Sequence, residues 1–86
     1  MTTQSYTVNT AWQRIVLAAE DLHLVTLNSI AAAEIAASTD GEAPEGSGHR
    51  LEGRDRYTRA DIGPGAVWAR SADGSMDEAT IVVSLS

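Results

Sequence analysis

These 86 residues predict a small all-β domain, a β-sandwich or barrel of about six to seven short antiparallel strands that ends in a C-terminal hairpin. Three observations carry that expectation. Turn-forming clusters recur along the chain roughly every 8–12 residues. Between them lie short runs rich in Val, Ile, Thr, Tyr and Trp, the side chains that suit a pleated, half-buried surface. No segment opens with a capping residue that leads into a convincing helical stripe.

Residues 5–17 carry the first of these runs. Ala11, Gln13, Ile15 and Leu17 share one expected face, and Trp12, Arg14 and Val16 the other. Ala18-Ala19-Glu20-Asp21 reads as a turn. Leu22, Leu24 and Thr26 then alternate with His23, Val25 and Leu27 until Asn28-Ser29 breaks the run. Ile30 to Ala37 is ambiguous, because Ala favours helix and Trp12, Ile15, Val16, Ala19 and Leu22 also fit a helical stripe. A helical hairpin over 11–37, the mark of a small helical regulator, is therefore the rival to strands in this half. The β-branched residues that crowd its flanks favour strands.

Residues 38–49 hold three Gly, one Pro and three acids and are expected to be a flexible loop. An Arg-rich segment follows over 50–61, and Gly63-Pro64-Gly65 makes a hard turn. Ala66 to Ser71 alternates cleanly, with Val67, Ala69 and Ser71 facing one way. Asp73-Gly74-Ser75 supplies hairpin chemistry, and Ala79 to Leu85 is the expected returning strand. The whole, residues 1–86, reads as one β domain.

Composition narrows what such a domain can do. There is no Lys, Phe or Cys, fourteen residues are Ala, and two Trp and two Tyr are the aromatics available as anchors. Without Cys, neither disulfides nor thiolate metal sites can reinforce the small core of so short a chain. Self-association or docking onto a partner is the remaining route to stability. A net charge of −6 argues against a general phosphate-backbone binder. Neither a basic leader nor an apolar run near the ~20 residues of a membrane span is present, which leads to an expectation of synthesis in a cytoplasm.

Catalytic constellations are not legible. His23 and His49 are the candidate bases, one in an alternating apolar segment and the other at the end of a Gly-Ser-Gly loop. Asp40, Glu42 and Glu45 lack the spacing of a calcium loop, and the two Gly-rich turns lack that of a phosphate loop. The expectation is no catalytic residue, no cofactor and no metal. The most informative polar feature is the cluster Arg50, Arg54, Arg56 and Arg59 with Tyr57 among them. Arg and Tyr are enriched where proteins meet, so these five residues are candidates for a protein interface, against the plainer reading of a solvated, ion-paired loop. Trp12, Ile15, Trp68, Ile81 and Val83 are the candidate anchors of the core or of a subunit interface.

Ala11-Trp12-Gln13-Arg14-Ile15, Leu22-His23-Leu24, Ala36-Ala37-Ser38, Ala43-Pro44 and Gly48-His49-Arg50-Leu51 lead to a close of Gly65 to Ser71 and Ala79 to Ser84. This succession resembles the short all-β accessory proteins of tailed-bacteriophage virions, of the head decoration (cement) or small fibre and spike type. The resemblance spans most of the chain in short motifs. It implies a non-enzymatic virion structural protein made in the host cytoplasm, oligomeric and with a homotrimer favoured. Its partner would be the major capsid protein or another virion protein, with no nucleic acid and no membrane. Capsid decoration and stabilisation is the leading implied role. A fibre, spike or tail-tip module that binds a host receptor or glycan is the alternative.

Overall fold

Alternation of side chains becomes alternation of burial in the computed structural model, which describes residues 2–29, 31–46, 48–72 and 78–85. Its strands are β1 (Thr2–Val8), β2 (Gln13–Val16), β3 (Leu22–Leu27), β4 (Ala33–Ser38), β5 (His49–Leu51), β6 (Arg56–Tyr57), β7 (Ala66–Ser71) and β8 (Ala79–Leu85). One helical turn, α1 (Arg59–Ile62), precedes β7. The rival helical reading of 11–37 is overturned. Ala-rich β4 is a strand because Ala33 and Ile35 point into the core while neighbours on either side satisfy its main chain.

The strands form two antiparallel four-stranded sheets, in the orders β1-β8-β3-β6 and β2-β7-β4-β5. Pairing follows one rule. The first strand pairs with the last, the second with the second-last, the third with the third-last, and the fourth with the fifth. The chain is thus one long hairpin, with its bend in the acidic segment between β4 and β5, rolled up so that its two arms divide between facing sheets. This is the connectivity of a jelly roll.

Two expectations change. The C-terminal hairpin does not form, because β7 lies between β2 and β4 in one sheet and β8 lies between β1 and β3 in the other. Val67 and Ala69 on β7 and Ile81 and Val83 on β8 enter the same core from opposite sides, so facing sheets satisfy both patterns. Asp73-Gly74-Ser75, the turn on which that hairpin rested, lies outside the described residues. Among the described residues the strands number eight, against the expected six to seven or so. The added ones are β5 and β6, of three and two residues, too short to show a period.

Between the sheets the core is aliphatic: Val8, Ile15, Val16, Leu22, Val25, Ile35, Leu51, Ile62, Val67, Ile81 and Val83, with Ala filling the closer gaps. Tyr6 and Tyr57 pack at its margin. A register shift between Arg14 and Val16 lets Ile15 and Val16 both turn inward, against the strict alternation expected there. Leu17, expected to share a face with Ile15, is exposed just past the end of β2. Among the described residues no helix is long and apolar enough to cross a membrane.

Local chemistry fixes the corners. A Cβ on Gly65, at φ +112°, would lie 2.6 Å from the Ser38 carbonyl oxygen, so only glycine lets β7 start so close to the end of β4. Ahead of it, Thr58 donates its main-chain N–H and its hydroxyl to Asp61 Oδ2 at 2.9 and 3.1 Å, closing the first turn of α1. Those bonds favour the ionised carboxyl and hold it below its ordinary pKa of 3.8.

Candidate functional site

The inward set of β7, Val67, Ala69 and Ser71, leaves Trp68 and Arg70 on the outside of the second sheet. Register then decides their neighbours. Arg70 stands opposite Glu34 of β4, and Glu34 stands opposite Arg50 of β5. One step along, Arg14 of β2, Trp68 of β7 and Ala36 of β4 form the adjacent row. Trp12 lies immediately before β2, with the Arg70 guanidinium carbon 4.4 Å from its ring centroid. Six residues from five segments thus share one outer face: Trp12, Arg14, Glu34, Arg50, Trp68 and Arg70.

Each of these side chains is held. Arg70 stacks on Trp12 and donates from Nε to Glu34 Oε1 at 3.1 Å, and the other Glu34 oxygen accepts the Gly48 N–H at 3.1 Å. Both members of the Arg70–Glu34 pair are mostly shielded from solvent, which limits screening. Trp68 Nε1 donates to the Thr39 carbonyl at 2.9 Å, and Arg14 Nη1 to the Asp40 carbonyl at 2.5 Å. The start of the acidic loop is therefore clipped to the edge of the face by an indole and a guanidinium. Arg50 donates from Nε to Glu52 at 2.9 Å, a pair more than half exposed on both sides. The result is a pre-set surface of aromatic rings and guanidinium groups on a chain whose net charge is negative.

The residues expected to form an interface are only partly brought together: Tyr57 touches Arg50, while Arg54 and Arg59 lie on other segments. The chain crosses from one sheet to the other between β5 and β6, so Arg50 sits on the second sheet and Arg56 on the first, opposite Thr26. Arg54 is exposed in the turn between them. Tyr57 donates its hydroxyl to the Arg50 carbonyl at 2.8 Å, and its ring centroid lies 5.4 Å from that of His49. Arg59 turns inward: Nη1 donates to the carbonyls of Gly65 at 2.5 Å and Gly63 at 3.4 Å, and Nη2 to that of Glu20 at 3.0 Å.

Of the expected anchors, Ile15, Ile81 and Val83 are core residues. Trp12 and Trp68 are not in the core. Trp68 has the outward parity of its strand, and Trp12 lies before β2 with its ring against the Arg70 guanidinium. Arg14, Glu34 and Arg70 were not among the expected site residues. The alternation of 66–71 could have pointed to Arg70, since fixing Val67, Ala69 and Ser71 inside fixes Trp68 and Arg70 outside. Its pairing with Glu34 was not legible, because it depends on which strand lies alongside.

Asp40, Glu42 and Glu45 do not converge, and among the described residues no group of three or more His, Asp or Glu is placed to hold a metal ion. No known protein family matches the chain, and neither a curated protein nor a solved structure matches it.

Proposed function

We propose that this chain is a non-enzymatic bacteriophage virion protein that decorates and reinforces the capsid, docking on the shell through the outer face of its second sheet. The observation that carries this reading is the placing of both tryptophans and three of the six arginines on that one face, each in a defined contact. Trp and Arg dominate the energetics of protein interfaces. Side chains already held in position lose less conformational entropy when a partner arrives. Guanidinium groups pair with carboxylates, so the matching shell surface is acidic with a shallow apolar seat for the indoles. The resemblance to phage accessory proteins supplies the setting. Jelly rolls include viral capsid domains, an analogy at the level of fold that supports the setting without selecting it.

Sedimentation with undecorated capsids tests the proposal. The protein is expected to co-sediment at micromolar concentration, and Trp68→Ala to weaken docking by about 2 kcal/mol or more, roughly thirtyfold in Kd. A protein that stays in the supernatant at that concentration overturns the reading.

The tail-tip or fibre alternative draws on the same tryptophans, since an exposed indole face can stack on a sugar. Arg70 covers one face of Trp12, however, and the Trp68 N–H is tied to Thr39, which favours a protein partner. Efficient quenching of both tryptophans by a neutral polar quencher, together with retention on a glycan matrix, would favour the alternative.

A further inference from the structure

We propose that β1 is a dimerisation edge, at which two copies of this chain pair antiparallel across a two-fold axis at Ser5 and merge their first sheets into one. The inference rests on the first sheet alone. The proposed docking face belongs to the second sheet, so either idea can fail while the other stands.

β1 is the outermost strand of its sheet, with β8 on one side and no strand on the other among the described residues. Its second row of N–H and C=O groups is therefore available to another strand. Folded proteins normally blunt such an edge by keeping it short, by bulging it, or by placing charges or Pro on it. Three of the four edges here follow that practice. β6 has two residues; β5 has three, including Arg50; β2 has four, with Arg14 and a register shift. β1 does not follow it. It runs seven residues as Thr-Thr-Gln-Ser-Tyr-Thr-Val, without Pro, Gly or charge, and pairs with β8 in unbroken register.

The identity of the partner strand follows from two features. First, β1 is self-complementary about Ser5. A two-fold axis there sets Thr3 of one copy opposite Thr7 of the other on the outer face, with Ser5 opposite Ser5 between them. On the inner face Gln4 meets Tyr6 of the other copy. Thr–Thr cross-strand neighbours are favourable, and no like charges meet. Second, charge is cleared from this edge. All twelve acids and six arginines lie outside β1 and β8, although the chain carries a net −6. An isologous contact sets each residue near its own symmetry mate, so a surface free of acids is what an acidic chain needs to meet itself.

Native mass and a pair of charge variants test this. The wild-type protein is expected at twice the 9.1 kDa of one chain, in concentration-dependent exchange with monomer. The double variants Thr3→Lys/Thr7→Lys and Thr3→Glu/Thr7→Glu each set two like-charge pairs across the axis and should raise the dimer Kd about tenfold. Mixing them places Lys opposite Glu and should restore the dimer. Amide hydrogen exchange on the wild type provides a readout that needs no variant: protection within β1 should rise with protein concentration. A monomer or a trimer at every concentration, charged variants that dimerise as tightly as wild type, a mixture of folded variants that stays monomeric, or β1 protection that ignores concentration would each overturn the proposal.

Discussion

Arg59 ties the helical turn to two other parts of the molecule, through the carbonyls of Gly63, Gly65 and Glu20. A charged donor to a main-chain carbonyl contributes about 1.5–3 kcal/mol when its loss strands the acceptor. Arg59→Ala should therefore lower the urea midpoint by about that free energy, with an unchanged denaturant slope. Arg59→Lys should recover only part of it, because an ammonium cannot reach all three oxygens from one planar fork. Two residues along, Asp61 sets a pH dependence. Its folded pKa lies below the ordinary 3.8, so the stability it contributes is present above that value and is lost as pH falls through the lower folded one. Thermal unfolding followed against pH should show Asp61→Asn with a shallower acid limb below 3.8 and a parallel, less stable profile above it. Sequence reading located both residues in a charged segment. It could not separate Arg59 from Arg50, Arg54 and Arg56, because nothing local distinguishes a guanidinium that folds back from one that faces water.

At the scale of the element, β7 shows what alternation does and does not reveal. Its period sorted Val67 and Ala69 from Trp68 and Arg70 correctly, since side-chain direction is a property of one strand. Which strands lie alongside is a property of two, and the adjacent turn chemistry suggested the wrong neighbour. The two sides of a strand should also respond differently to truncation. Ile81→Ala in the core should cost about 2–5 kcal/mol of stability. Trp68→Ala on the outer face should cost about 1 kcal/mol, the value of its single bond to Thr39. Urea denaturation of both variants checks the contrast. The proposed docking reverses the order, with Trp68→Ala the more damaging to co-sedimentation. β5 and β6 escaped sequence reading for a simpler reason. Two or three residues cannot show a period, and their strand character comes from the main chains of β4 and β3 beside them.

For the molecule as a whole, the all-β class, the positions of β7 and β8 and the aliphatic part of the core were legible, because they rest on composition and local pattern. The rolled connectivity was not. It arises from pairings such as Thr2 with Leu85, made between residues almost the whole chain apart. The order β1-β8-β3-β6 also carries a consequence for the birth of the protein. The final strand in the chain is an interior strand of its sheet, inserted between the first strand and the third. β1 and β3 are synthesised long before the strand that joins them, so the first sheet cannot assemble until β8 has been made. Folding should wait for β8, then proceed as one slow step, on the order of milliseconds to seconds, as non-local β topologies do. A chain ending at Ala72 should show no cooperative unfolding by circular dichroism, whereas adding a peptide of 78–85 in trans should restore it. The same wiring makes the last strand the molecule's clasp: until it closes, every other strand is provisional.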